Sequence, residues 1–250
     1  MGVNSLHWYY LASLGKTGDV VSLTGDEWHH AYHVLRLTTG EPIILTDGKG
    51  NCMKGMIRSA SKHEGQIELA DDLHAEFQNP RKYKLSIGIS PTKNIDRTEF
   101  AIEKLVELGV DEICFLACRH AERTHLRIDR IEKIIIAAAK QSRKIFFPRL
   151  IDLTPPVQYV NQKQTEQPGI QVLCCHLDES GKSVAENYLY GQDVVMLIGP
   201  EGGFADEEID ALTGLAVKMV HLGPFRLRVE TAAITACADI HLLNELNTKT

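Results

Sequence analysis

Val194-Val-Met-Leu-Ile198, then Gly199-Pro-Glu-Gly-Gly203, then Phe204-Ala-Asp206-Glu-Glu208 is the stretch on which the fold turns. Five apolar residues in a row suit a strand buried on both faces, as in a parallel sheet. Three glycines and a proline in the next five make a rigid turn whose backbone can approach a ligand closely. An acidic helix start follows. Strand, glycine turn and helix in succession form the repeating unit of an α/β sheet with crossover connections.

A second unit of the same kind comes next. The strand expected at 217–222 ends in His221-Leu222-Gly223-Pro224, and Phe225-Arg226-Leu227-Arg228 leads into Val229-Glu230-Thr231-Ala232-Ala233, a helix start rich in small residues. Upstream, further strands are expected at 84–89, 112–117, 171–175 and 194–198, and helices at 97–108, 129–141, 206–215 and 229–246. Ligands of an open α/β sheet sit at the carboxyl ends of its strands. The loops after Cys175, Ile198 and Leu222 are therefore the expected site. No P-loop is present: Gly-Lys-Ser/Thr is missing, and a helix opening with carboxylates would repel phosphate.

The first third reads differently. Short alternating segments at 8–11, 20–23, 42–47, 52–59 and 66–70, with one helix at 26–37, suggest a small β-barrel. The aperiodic stretch 71–81, which contains Gln78-Asn79-Pro80, marks the linker, which divides the chain into 1–75 and 76–250.

Of 250 residues, 44% are apolar and 24% charged, enough for one large or two small folded domains. No apolar run approaches the roughly 20 residues of a membrane helix. The first residues lack the pattern of an export signal, so a cytoplasmic protein is expected. Six scattered cysteines fit reduced thiols and not a disulfide framework. Cys114, Cys118 and His120, or Cys174-Cys175-His176, lack the paired spacing of a zinc site, and no metal is expected. The net charge is −6, but residues 81–150 carry 15 basic against 9 acidic side chains. A local excess of this kind, with Arg119, Arg123, Arg143 and Lys144 in it, attracts a polyanion whatever the global sum. A merely solvated helix face is the alternative.

Leu197-Ile-Gly-Pro-Glu-Gly-Gly203 together with Leu222-Gly-Pro and Leu227-Arg228-Val-Glu230-Thr231-Ala232 resembles the RsmE family of ribosomal RNA uridine-N3 methyltransferases. The likeness extends to Ala101-Ile-Glu-Lys-Leu-Val-Glu-Leu-Gly-Val110, Ala137-Ala-Ala-Lys-Gln-Ser142, His30…His33-Val-Leu-Arg36 and Thr46-Asp-Gly48, nearly the whole chain. The resemblance implies a PUA-like RNA-binding β-barrel followed by an α/β SPOUT domain with a parallel sheet and a deep trefoil knot. It also implies a homodimer that uses S-adenosylmethionine (SAM) to methylate one uridine of small-subunit (16S) ribosomal RNA, either free or in the assembled subunit. Two departures stand out. The family commonly has arginine directly after Leu-Gly-Pro and threonine before the glutamate, where this chain has Phe225 and Val229. Lys140 replaces a glutamate common before Gln-Ser.

The expected cofactor set is Leu173, His176, Ile198, Gly199, Glu201, Gly202, Leu222, Gly223, Leu227 and Thr231. Arg228 and Glu230 are the expected catalytic pair: uridine N3 must lose a proton, and a cation must meet the anion that spreads onto the ring carbonyls. His29, His30 and His33 offer a rival base, with His30 and His33 spaced to share a helix face with Arg36. RNA contacts are expected at Arg36, Arg119, Arg123, Arg143 and Lys144. The small residues Ala232, Ala233 and Ala236, with Ile240, suggest a helix that packs closely in a dimer.

Overall fold

The computed structural model describes residues 5–77, 81–176 and 182–247; Gln78-Asn79-Pro80 of the expected linker lie outside them. The chain forms two compact units, and residues 136–147 are counted with the first.

In the first unit, β1 (Trp8–Tyr10), β2 (Val20–Thr24), β3 (Pro42–Thr46), β4 (Cys52–Ala60) and β5 (Glu64–Asp72) form one curled sheet in the order β1-β3-β4-β5-β2. The β4–β5 pairing is antiparallel and register-shifted at two places, which bends it. Period-two alternation along β5 sends Ile67 and Leu69 into a core with Tyr9, Leu23, Trp28 and Ile57. Trp28 fills the concavity because Gly65 opposite has no side chain, and its indole N–H donates to the Ser61 carbonyl at 2.8 Å. The turn at Thr46-Asp47-Gly48 explains its composition: the Asp47 carboxylate accepts from the Lys49 amide (2.8 Å) and the Asn51 amide (3.1 Å). Segment 145–147 then pairs with this turn. The Gly50 amide donates to the Ile145 carbonyl at 2.9 Å and the Phe147 amide to the Gly48 carbonyl at 2.8 Å. Ile145 joins Trp8, Ile44, Cys52 and Leu73 in a second cluster.

The helix expected at 26–37 is corrected to α1 (Gly25–His29) followed by a π-helical turn at His30–Val34. The Leu35 amide reaches back to the His30 carbonyl at 3.0 Å, and Arg36 ends the turn in the left-handed region at φ 57°. In this wider turn His29 faces His33, ring centroids 4.7 Å apart, in place of the expected His30–His33 pair.

The second unit holds β6 (Leu85–Ile89), α2 (Ile95–Leu108), β7 (Glu112–Leu116), α3 (Ile128–Gln141, which ends in the first unit), β8 (Arg149–Thr154), α4 (Pro156–Glu166), β9 (Gln171–Cys175), β10 (Lys182–Ser183), α5 (Val184–Asn187), β11 (Val194–Ile198), α6 (Asp206–Gly214), β12 (Lys218–His221) and α7 (Val229–Asn247). Seven parallel strands run in the order β10-β12-β9-β11-β6-β7-β8. Asn94 caps α2, accepting from the Asp96 amide at 3.1 Å, and Gly109 closes it at φ 85°.

α7 packs on α2, β6 and β11. Ala233, Ala236 and Ile240, proposed above for close packing in a dimer, are fully buried within their own unit. Small residues there let α7 approach the sheet and α2.

Candidate active site at the carboxyl ends of the strands

Strand register brings the loops together. Val220 pairs with Cys175, Cys175 with Ile198, Ile198 with Ile89 and Ile89 with Phe115, so five strands end in one row. Neighbouring strands are about 4.8 Å apart. The loops after β12, β9, β11, β6 and β7 thus leave the sheet side by side.

Each expected cofactor residue can be placed on this row. Ile198 is the last buried residue of β11, with half-buried Gly199 and exposed Glu201 and Gly202 in the turn beyond it. A Cβ on Gly199 would come within 2.9 Å of the Phe204 ring, and Phe204 is itself 6% exposed. Glycine at 199 is thus required by packing inside the loop. Gly202 lies against His120, where a Cβ would come within 3.2 Å of the histidine Cβ. Gly203 (φ 75°) and Gly223 (φ 115°) adopt left-handed backbone, and a Cβ at either would meet no atom within 4 Å. Glycine at these two positions leaves the loop backbone open to close approach. His176 follows β9, its amide donating to the Val220 carbonyl at 2.9 Å; residues 177–181 of that loop lie outside the described ones. Leu222 and Leu227 are half-buried in the β12 loop, and Thr231 is exposed on α7. Leu173 is set back two residues from the end of β9 and is 1% exposed.

Arg228 is exposed just before α7, and Glu230 lies in the first turn of that helix with its side chain 12% exposed. Arg97, on the first turn of α2, faces the Glu230 carboxylate at 3.8 Å. Arg226 reaches the Glu201 carbonyl at 3.4 Å and ties the second glycine loop to the first.

The loop after β6 was not among the expected site segments. A cleft of about 520 Å³ opens there, lined by Lys93, Asn94, Arg97, Glu122 and Glu201. Its signal in the sequence is Ser90-Pro-Thr-Lys-Asn94, a polar, proline-containing run directly after an apolar strand. Of the expected RNA contacts, Arg119 and Arg123 fall in this second unit. Arg123 donates to the Thr92 and Lys93 carbonyls at 3.1 and 2.8 Å, so its guanidinium braces that loop. Arg36, Arg143 and Lys144 belong to the first unit. His29, His30 and His33 do too. Among the described residues no three His, Cys, Asp or Glu come together as a metal site, and no helix is long and apolar enough to cross a membrane.

Comparison with known proteins identifies the family of the fold. Residues 79–241 match the family described as RNA methyltransferase domain, and residues 23–70 the RNA methyltransferase PUA domain. The fold and its row of strand-end loops are therefore those of an RNA methyltransferase. Ribosomal RNA small subunit methyltransferase E of Mycobacterium bovis is 29% identical over 244 residues, 94% of this chain and 91% of its own. That of Bacillus subtilis is 28% identical over 239 residues, 90% of this chain and 91% of its own. A crystal structure of the corresponding enzyme of Neisseria gonorrhoeae bound to S-adenosyl methionine superposes with a TM-score of 0.82 at 25% identity, over 95% of this chain and 98% of that one. The chain belongs to the RNA methyltransferase family, among the ribosomal RNA small subunit methyltransferases E, or RsmE proteins.

Proposed function

We propose that this chain transfers the methyl group of SAM to N3 of one specific uridine of small-subunit (16S) ribosomal RNA, free or within the assembled subunit. The observation that carries the reading is the row of strand ends. Two of three adjacent parallel strands, β11 and β12, end in glycine-proline turns that face open space at Gly203 and Gly223. In this reading Ile198, Gly199, Glu201, Gly202, Leu222, Gly223, Leu227, Thr231 and His176 hold the cofactor, and Leu173 backs it from within the sheet. A deep trefoil knot belongs to the same reading. It is supported by the order β12-β9-β11, from which the chain returns to pack α7 on α2 and β6.

Bound SAM supplies a methyl group on a sulfonium, and the protein supplies proximity and electrostatics. Glu230 takes the N3 proton of the uracil as the ring nitrogen attacks. Arg228 meets the negative charge that spreads onto the flanking carbonyl oxygens, a task suited to a preorganised donor. Arg36, Arg119, Arg143 and Lys144 contact RNA phosphates, and Arg123 contributes by bracing the loop after β6. Arg36 and Arg143 both hold left-handed backbone at helix ends, φ 57° and 56°. Such strain in a non-glycine residue often marks a functional position. The enzyme works as a cytoplasmic homodimer.

Mass mapping of ribosomal RNA from a strain lacking this protein tests the assignment. N3-methyluridine should be missing from one position of the small-subunit RNA and return on complementation. An unchanged map would remove the proposal.

A further inference from the structure

We infer that the cleft of Lys93, Asn94, Arg97, Glu122 and Glu201 receives a single uridine nucleotide. The inference rests on the reading of the chain as a uridine methyltransferase and deepens it. Topology points to this place first. From β6 the chain proceeds to β7 and β8 on one side, whereas from β11 it proceeds through α6 to β12 on the other. Ligands of open α/β sheets bind where the strand order reverses in this way. The cleft lies there, between the loop after β6 and the first glycine loop.

The walls are built and not merely adjacent. Arg123 holds the Thr92 and Lys93 carbonyls. One Glu201 oxygen accepts the Lys93 amide at 3.1 Å, and the His120 ring meets the Gly203 carbonyl at 3.2 Å. Three loops, after β6, β7 and β11, are therefore fixed around the opening. Arg97 stands between the cleft and Glu230.

The lining alternates in sign. A bare phosphate would meet the carboxylates of Glu122 and Glu201, and a metal ion would meet Lys93 and Arg97. A neutral edge that offers acceptor, donor, acceptor suits both sets of groups. The uracil edge, O2, N3–H, O4, is of this kind: Asn94 and Arg97 can donate to the carbonyls, Lys93, paired with Glu122 at 2.8 Å, holds that carboxylate at the rim, and the imide N–H is left to Glu230 behind Arg97. Cytosine presents an unprotonated N3 and an amino group, and mismatches that pattern. Glu201 belongs to both the cofactor set and the cleft, so the two sites share a wall.

Photo-crosslinking of the full-length protein with 4-thiouridine 5′-monophosphate in the presence of saturating SAM tests this. The labelled peptides should contain residues 90–97 or 122, and UMP should displace the label at least tenfold better than CMP. The double variant Lys93→Ala, Arg97→Gln should label at least tenfold less while binding SAM in calorimetry like the parent. Arg97→Lys, which keeps the charge beside Glu230 and so guards against misfolding, should label at least threefold less. Labelling elsewhere, equal displacement by CMP, loss of labelling when SAM is added, or parental labelling of the folded Arg97→Lys protein would each overturn the assignment. A chain that binds no SAM would instead fail the functional reading, which separates the two failures.

Discussion

Arg228 and Glu230 stand two residues apart yet in different surroundings: the arginine is exposed, and the carboxylate is largely covered and paired with Arg97. An exposed cation at the mouth of the site is free to meet charge that develops only during reaction. Arg228→Ala should therefore reduce single-turnover methylation of small-subunit particles roughly a hundred- to a thousand-fold, the usual cost of one preorganised donor. SAM affinity by calorimetry should change much less. A parental rate, or a loss of affinity that matches the loss of rate, would make Arg228 structural. Both glycine turns were legible as breaks at strand ends, because glycine and proline directly after an apolar run end a strand. Arg97 was not legible as a site residue, since an arginine in the first turn of an amphipathic helix carries no local mark of what it faces. Gly199 was legible as a close approach, but the neighbour is Phe204, five residues on and invisible to motif reading.

At the scale of elements, most strands and helices were legible because hydrophobic runs and glycine breaks agreed. The connection from β8 to α4 was not. Residues 149–154 form an edge strand with no fully buried residue, and α4 opens with proline and continues as a mainly polar sequence. Tyr159 and Val160 anchor α4 in the core, and a charge network that no periodicity reveals adds to their hold. Glu112 of β7, 5% exposed, accepts from the Tyr159 hydroxyl at 2.7 Å and pairs with Lys163 at 3.1 Å and Arg149 at 3.5 Å. Breaking a buried pair from one side leaves an uncompensated charge and typically costs 3–5 kcal/mol. Because Arg149 remains, Lys163→Met should cost about 3 kcal/mol in urea unfolding. Adding Glu112→Gln to that variant should restore most of the loss. Equal stability of the single variant and the parent would show that Arg149 alone neutralises Glu112.

Two properties belong to the molecule as a whole. Burial pushes the thiols of Cys52, Cys114, Cys118 and Cys175 from near 9 up to about 12. The folded state thus favours the neutral thiols. The stability they confer is complete below about pH 9, where the unfolded chain also keeps its protons, and is lost as pH rises toward 12. Unfolding midpoints should be insensitive to these groups from pH 7 to 8.5 and fall steeply above 9. A flat alkaline profile would show that water reaches the thiols. The second property is assembly. With Ala233, Ala236 and Ile240 buried in their own unit, a homodimer must use other surface, and Leu242 (53% exposed) and Leu246 (61%) are the large apolar residues that α7 leaves uncovered. Light scattering at micromolar concentration should give twice the chain mass, and Leu242→Asp with Leu246→Asp should return it to one. A monomeric parent would refute the dimer.

The pairing of segment 145–147 with the turn at 48–50 has a consequence for synthesis. On a translating ribosome, the second cluster of the first unit cannot close when the five strands have emerged, because Ile145 and its neighbours are still to be made. Trp8, Ile44, Cys52 and Leu73 wait through some seventy further codons for their last apolar partner. Nascent chains halted with residue 80 outside the exit tunnel should thus be cut readily by protease within the first unit. Chains halted with residue 150 outside should resist.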